Sequence, residues 1–174
     1  MPVIVIFTGH DGSRKTSIAK EFAKQVGVPY FKDQDEHRTF LAGKYGDSSL
    51  YFSQYYLAKF LEQVGCSVVM DRGFPDELVY GDVFDRDISR PLFWDVDAKW
   101  AKLGTFVVIC EKLNLDGYQD PLITLENAFR VRAGFRKFSR LTECKCVLIN
   151  TDEGETKEIA GRIVKMLELF EVKD

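Results

Sequence analysis

The sequence is poor in the features that mark secreted, membrane-spanning and zinc-binding proteins. Its apolar opening, MPVIVIF, is short and lacks a basic leader and a small-residue cleavage site, so we expect neither a signal peptide nor a membrane span. Only four cysteines occur, and the C-x-C spacing of Cys144 and Cys146 is not that of a zinc knuckle. Reduced, mostly buried thiols of a cytoplasmic protein are the interpretation we adopt.

Excess positive charge is also lacking, since the formal net charge is -3. This balance argues against a protein that coats nucleic acid generally, although it leaves a local basic groove possible. Internal repeats, low-complexity tracts and linkers are missing as well. A length of 174 residues suits one hydrophobic core, and we predict a single domain over residues 1–174.

What the sequence does contain is a series of apolar runs of strand length. Most are rich in Val, Ile or Phe without strict alternation, which is typical of parallel strands buried on both faces. The runs cover residues 3–8, 29–31, 67–70, 105–110 and 146–150. Helical periodicity covers residues 15–26, 48–64, 95–103, 122–141 and 155–170. Alternating strands and helices predict an α/β sandwich with a parallel sheet.

The first strand-to-helix junction reads GHDGSRKT and nearly matches the phosphate-loop pattern G-x-x-x-x-G-K-[ST]. We expect its backbone N–H groups to bind the β-phosphate of ATP at the helix N-terminus. Lys15 would reach the β- and γ-phosphates, and the Thr16 hydroxyl would ligate Mg²⁺. A chance glycine-rich turn is the alternative, which the flanking strand and helix disfavour. The candidate ATP-binding residues are Gly9, Asp11, Gly12, Ser13, Arg14, Lys15 and Thr16.

Arginine occupies position 14, where the pattern has its second glycine. A positive φ there would cost an arginine about 1 kcal/mol. Two interpretations stay open. The loop is weakened and binds ATP poorly, or Arg14 supplies in cis a positive charge that other kinases bring from a lid. The intact Lys15–Thr16 pair and the retained Gly12 favour a functional loop.

The third predicted strand leads into DRGFPDELVYG, which begins with Asp71 and Arg72. In a doubly wound sheet, the carboxyl end of this strand lies beside the phosphate loop. A carboxylate there can hold a Mg²⁺-bound water or accept a proton from an attacking hydroxyl. The neighbouring arginine can bind an anionic acceptor, although an ordinary Asp–Arg salt bridge is the simpler alternative.

Together, TGHDGSRKT and DRGFPDELVYG resemble the thymidylate kinase-like group of P-loop kinases, which includes short bacteriophage versions. The resemblance runs from residue 3 to residue 152 and is specific at these two segments. It implies a P-loop NTPase three-layer sandwich with a five-stranded parallel sheet in the order 2-3-1-4-5, and an ATP- and Mg²⁺-dependent kinase. The residues it implies are Lys15, Asp71 and Arg72 for catalysis, Thr16 and Asp71 for Mg²⁺, and Arg72, Glu77 and Tyr80 for the acceptor.

The stretch after the fourth strand departs from this family, because it carries Lys112 but no arginine before Arg130. Two phosphates pressed together need neutralising charge. Either Arg14 and Arg72 supply that charge, or the acceptor carries less charge than a monophosphate. The first choice of acceptor is a deoxypyrimidine nucleotide or nucleoside of thymidylate type. The second is the hydroxyl of 5-hydroxymethyluracil within DNA, as in some phage enzymes.

Further candidate contacts lie outside these motifs. Arg38, in the segment YFKDQDEHRTF, is a candidate for binding an acceptor phosphate or a nucleic-acid backbone. The basic stretch AFRVRAGFRKFSR makes DNA contact possible, although phenylalanines at this spacing more often pack in a core. A non-catalytic nucleotide-binding regulator is a third hypothesis, supported by Arg14 only. We expect no membrane partner, and a phage-encoded protein would act in the host cytoplasm.

Overall fold

Five parallel strands form one sheet in this computed structural model, which describes residues 3–32, 48–120 and 123–171. The strands are β1 (Ile4–Thr8), β2 (Tyr30–Lys32), β3 (Val68–Asp71), β4 (Phe106–Glu111) and β5 (Lys145–Asn150). Their order is β2-β3-β1-β4-β5. The predicted five-stranded parallel sheet and its order are therefore confirmed.

Six helices occur in the part of the chain that the structure describes. They are α1 (Lys15–Val26), α2 (Ser48–Val64), α3 (Phe74–Val83), α4 (Arg90–Lys102), α5 (Leu125–Phe138) and α6 (Thr156–Glu171). Helix α3 was not among the predicted helices, because all its residues except Asp82 are buried. A helix that is buried all round has no amphipathic period to detect.

The sheet separates two apolar clusters, which gives the predicted three layers. Successive residues of β1 point to opposite faces, so Ile4 and Ile6 join one cluster while Val5 and Phe7 join the other. The first cluster contains residues of α2, α3, α4 and α5, and the second contains residues of α1 and α6. Within the described ranges, none of the helices has the length and apolar character that a membrane span requires.

The register of the sheet determines which strand ends meet. Phe7 of β1 is paired with Asp71 of β3, and Thr8 of β1 is paired with Ile109 of β4. Since all strands are parallel, the segments that follow β1, β3 and β4 emerge at the same edge. This edge, where doubly wound folds bind their ligands, is where the two sequence motifs meet.

Candidate active site

The loop between β1 and α1 lies directly against the end of β4. A Cβ atom on Gly9 would lie 2.1 Å from the carbonyl oxygen of Cys110, and Gly9 has a φ of 139°. Both the close approach and the backbone conformation therefore require glycine at this position. This contact fixes the start of the loop at the edge of the sheet.

His10 fastens the same loop to the segment after β4. Its side chain is buried, and its Nε2 atom accepts a hydrogen bond of 3.0 Å from the Lys112 N–H. Nδ1 then carries the proton and donates to the Asp11 carbonyl oxygen at 2.8 Å. Burial lowers the pKa of His10, which keeps the ring neutral, as this pair of hydrogen bonds requires. His10 was not among the site residues predicted from the sequence.

Lys15 lies over the loop with little exposure to solvent. Its Nζ atom is 3.3 Å from Asp11 Oδ1 and 3.4 Å from the carbonyl oxygen of His10. Lys15 is also the first residue of α1, whose first backbone N–H groups have no intrahelical acceptors. These positive groups together suit an anion.

Thr16 and Asp71 meet beneath the loop. The Thr16 hydroxyl donates a hydrogen bond of 2.7 Å to Asp71 Oδ2, and the Tyr30 hydroxyl donates one of 2.8 Å to the same oxygen. Burial, together with the bond to Asp71, raises the pKa of Tyr30, so this hydroxyl stays protonated as a donor. The second oxygen, Asp71 Oδ1, is buried and has no hydrogen-bond partner among the residues that the structure describes. A buried carboxylate oxygen of this kind needs an explanation.

Arg72 is held by two carboxylates. Its guanidinium donates to Asp11 Oδ1 and, at 3.0 Å, to Asp76 Oδ1. It also lies 5.3 Å from the centre of the Tyr80 ring, whose hydroxyl donates to Asp11 Oδ2 at 2.8 Å. Burial by itself would raise the pKa of Asp11, but the charges of Lys15 and Arg72 outweigh it and lower that pKa. Asp11 is therefore the ionised centre of this network.

Asp76 supports the network from inside the first turn of α3. The carboxylate is fully buried, and Oδ2 accepts hydrogen bonds from the Thr8 hydroxyl at 2.8 Å and from the Gly73 N–H at 3.2 Å. Together with Arg72, three donors thus surround one carboxylate. Asp76 lies in the motif that the sequence analysis quoted, but it was not identified, because only the unpredicted helix α3 brings it back toward Arg72.

A cavity of about 300 Å³ opens above these groups. Four basic and two acidic side chains border it, an excess of positive charge that suits an anionic ligand. The lining residues are Asp11, Gly12, Arg14, Lys15, Thr16, Ser17, Lys32, Arg72 and Asp120.

Comparisons with known proteins identify the fold. No protein-family model and no curated protein matches the chain. Among solved structures, the YorR protein of Bacillus subtilis in complex with phosphorylated GDP is similar with a TM-score of 0.74 and 20% identity, covering 97% of this chain and 98% of that chain. This chain has the fold of the P-loop kinases.

Two P-loop kinases are also similar over nearly their whole length. Thymidylate kinase from Ehrlichia chaffeensis has a TM-score of 0.64 and 18% identity, with 95% of this chain and 98% of that chain covered. Deoxyadenosine kinase from M. mycoides with bound dCTP has a TM-score of 0.59 and 15% identity, with 95% and 99% covered. The fold that the resemblance implied is therefore confirmed.

The P-loop kinase fold brings most of the predicted site residues to one edge of the sheet. The network just described contains Asp11, Lys15, Thr16, Asp71, Arg72 and Tyr80. Gly12 and Arg14 border the cavity, Gly9 fixes the start of the loop, and Ser13 is buried. Glu77 is buried within α3. Arg38 lies outside the described residues.

The guanidinium of Arg14 takes a direction that the sequence did not indicate. Arg14 has a φ of 63°, in the left-handed region that the glycine of the pattern would enter freely. The guanidinium donates to the carbonyl oxygens of Thr151 and Gly154 at 2.9 and 3.0 Å and to the Thr156 hydroxyl at 2.8 Å. It therefore lies on the loop between β5 and α6.

Two arginines of the basic helix α5 also have partners near the site. Arg136 forms a bidentate ion pair with Glu111, at 2.6 and 2.7 Å. Arg132 donates to the carbonyl oxygens of Lys112 and Leu113 at 3.3 and 2.9 Å. These contacts stabilise the segment after β4, and DNA contact by this helix stays a prediction.

Proposed function

We propose that this protein is a kinase that transfers the γ-phosphoryl group of ATP, with Mg²⁺, to a deoxypyrimidine-type nucleotide or nucleoside. One observation carries the proposal. The Thr16 hydroxyl and Asp71 are hydrogen-bonded beneath a lysine-bearing phosphate loop, and the remaining Asp71 oxygen is buried without a partner in the described part of the chain. In an ordinary strand-to-helix turn, a buried carboxylate oxygen without a hydrogen-bond donor would only be destabilising. In a metal-dependent phosphotransferase, such an oxygen serves the metal ion or a metal-bound water.

The triphosphate of ATP would bind in the loop. Backbone N–H groups at the start of α1 and the positive end of its dipole favour an anion there. Lys15 already lies over the loop, where its contacts with Asp11 and His10 measure 3.3 and 3.4 Å. Because these contacts are long, we expect Lys15 to exchange them for β- and γ-phosphate oxygens when ATP binds.

The donor atoms of Thr16 and Asp71 fit Mg²⁺, which prefers oxygen ligands and keeps several waters. No cluster of three or more His, Cys, Asp or Glu side chains suited to a metal occurs in residues 3–32, 48–120 and 123–171. Phosphate oxygens and water would therefore complete the coordination. When bound, Mg²⁺ neutralises charge on the phosphates. Asp71 Oδ1 would orient a metal-bound water, since Oδ2 is already occupied by Thr16 and Tyr30.

The acceptor would bind beside Arg72. This arginine borders the cavity, and Asp11 and Asp76 hold its guanidinium in place. We assign Tyr80, Glu77 and Arg38 to the acceptor side of the site. The similar fold of a thymidylate kinase and a deoxyadenosine kinase supports a nucleotide or nucleoside as acceptor.

One observation favours the second candidate, a kinase for the hydroxyl of 5-hydroxymethyluracil within DNA. Asp120 follows β4 in the stretch where monophosphate kinases carry arginines, and it borders the cavity. A carboxylate in this place disfavours a second phosphate by charge repulsion. An acceptor that presents a hydroxyl avoids that repulsion.

An acceptor panel with γ-labelled ATP and Mg²⁺ tests these proposals. The acceptors are dTMP, thymidine, dCMP and duplex DNA containing 5-hydroxymethyluracil, and the Lys15→Ala variant is the control. Label in a free nucleotide or nucleoside supports the first proposal, and label in DNA only supports the second. Should MgATP raise the melting temperature without transfer to any acceptor, the protein is a nucleotide-binding regulator. MgATP at about 100 times a micromolar Kd should stabilise the protein by about 2.7 kcal/mol. If it gives no stabilisation, both the kinase proposals and the regulator hypothesis are ruled out.

A further inference from the structure

The guanidinium of Arg14 joins the phosphate loop to the loop between β5 and α6, residues 151–155. Three hydrogen bonds make this connection, two to carbonyl oxygens of the second loop and one to Thr156 at the start of α6. The two segments are more than 130 residues apart in sequence, and they follow strands that are separated in the sheet by β4. Arg14 therefore bridges the gap between the ends of β1 and β5.

The backbone of Arg14 indicates that the bridge has a role. Its φ and ψ of 63° and 9° lie in the left-handed region, which arginine rarely adopts and glycine adopts freely. Non-glycine residues persist there only when the surrounding structure holds them. Glycine at this position would relieve the strain and lose all three bonds.

The hydrogen-bond partners of Arg14 show that its guanidinium is directed away from the phosphate loop. Both hydrogens of Nη1 are engaged by the carbonyl oxygens of Thr151 and Gly154, and Nη2 donates to Thr156. A guanidinium used in this way is aimed at the second loop, whereas Lys15 is the cation that lies over the phosphate loop. Arg14 nevertheless borders the cavity, so its connection fixes one wall of that cavity.

We infer that Arg14 is a positioning residue that sets the affinity for the donor nucleoside triphosphate. By holding residues 151–155 at a fixed distance from the phosphate loop, it preorganises the edge of the sheet at which nucleotides bind in doubly wound folds. Its charge does not stabilise the transferred phosphoryl group. This inference rests on the proposed kinase function.

The chain provides a matched control in Arg162. Its Nη2 atom donates to the carbonyl oxygen of Glu153 at 2.8 Å, so it binds the same loop from α6 without reaching the phosphate loop. Arg162→Ala tests stabilisation of the loop alone. Arg14→Gly tests the connection while relieving the strain, and Arg14→Lys keeps the charge without the three-bond fork.

The experiment measures three quantities: KM for MgATP, kcat, and the Kd of a non-hydrolysable ATP analogue in the presence of Mg²⁺. For Arg14→Gly we expect KM and Kd to rise about tenfold, because the relieved backbone strain offsets part of the loss of three hydrogen bonds. We expect kcat to stay within about threefold. Arg14→Lys should resemble Arg14→Gly, and Arg162→Ala should leave KM within about twofold of wild type. Loss of kcat at unchanged KM, rescued by Arg14→Lys, would instead assign the charge to the transition state and overturn the inference. Equal effects of Arg14→Gly and Arg162→Ala would overturn it too.

Amide hydrogen exchange without ligand separates this inference from the proposed function. If Arg14 couples the two loops, Arg14→Gly must speed exchange in both residues 9–16 and residues 151–156, and Arg162→Ala only in the second segment. Should wild type neither bind nor use ATP, the proposed function and the role in donor affinity both fail, while this comparison still decides the coupling. Unchanged exchange in residues 9–16 of Arg14→Gly would refute the coupling even in an active kinase.

Discussion

Asp76 is the buried carboxylate on which the position of Arg72 depends, and its replacement gives the sharpest test of the site's structure. Asp76→Asn keeps the shape but removes the charge opposite Arg72. Removing one member of a buried ion pair costs about 3–5 kcal/mol. Arg72 is 18% exposed and keeps Asp11 as a second partner, so we expect a loss at or below the lower end of this range, about 2–3 kcal/mol.

Asp76→Ala should cost more. It also leaves the Thr8 hydroxyl and the Gly73 N–H without their acceptor, and the Thr8 side chain is fully buried. With about 1 kcal/mol for each orphaned donor, the free energy of unfolding should fall by about 4–5 kcal/mol in total. For a chain of this size, that corresponds to a decrease in melting temperature of roughly 8–20 °C.

Urea unfolding followed by circular dichroism measures both losses. Asp82→Asn is the matched control, because Asp82 lies in the same helix and pairs with Arg90 at the exposed surface, at 2.6 Å. We expect the control to cost less than about 1 kcal/mol. A loss below about 1 kcal/mol for Asp76→Ala, or strict additivity of Asp76→Asn and Arg72→Met in a double-mutant cycle, would refute the account of the network.

Three further predictions concern the loop and its surroundings. Gly9→Ala places a Cβ atom 2.1 Å from the Cys110 carbonyl oxygen and should lower the unfolding free energy by about 3 kcal/mol or more. The control Gly27→Ala, whose Cβ atom would have no neighbour within 4 Å, should cost about 1 kcal/mol. Chemical denaturation measures both losses. Tyr30→Phe removes one of the two hydrogen bonds to Asp71 Oδ2, so the Asp71 carboxylate is less well oriented for Mg²⁺. In a magnesium titration, the Mg²⁺ concentration for half-maximal activity should rise by about threefold. Because burial lowers the pKa of His10 in the folded state, the unfolded chain binds more protons, and stability should fall as the pH drops below about 6.5. Unfolding curves at several pH values should show a weaker dependence for His10→Gln, and an unchanged dependence would contradict the assignment.

The three central strands were predictable because their burial is uniform. β1, β3 and β4 are buried along their whole length, and an apolar run of strand length records this directly. The helices were less uniform. α3 is buried all round and shows no period, and α4 begins at Arg90, five residues before the predicted start at residue 95. The sequence indicates which residues are apolar and buried. It indicates a helix only when one face of that helix is polar and exposed, because the helical period is then visible.

The site was predictable to the extent that it depends on strand ends. Asp71 and Thr16 meet because β3 lies next to β1, an arrangement that the sheet order implies. Asp76 and His10 escaped notice because their partners come from other segments, Thr8 in one case and Lys112 in the other. A pattern along the chain does not indicate hydrogen bonds between segments that are distant in sequence.

The two arginines of the site show why the loop can be both strained and functional. Arg14 and Arg72 have φ values of 63° and 74°, and strain of this kind gathers at functional sites when neighbouring structure supports it. Arg72 is held on the side of α3 by Asp76, and Arg14 is held on the side of α6 by Thr156. Lys15 borders the same cavity and has two long contacts of 3.3 and 3.4 Å. Because the two arginines are held by neighbouring segments and Lys15 has only long contacts, we expect an arriving phosphate to meet a preorganised loop in which Lys15 can still change partners.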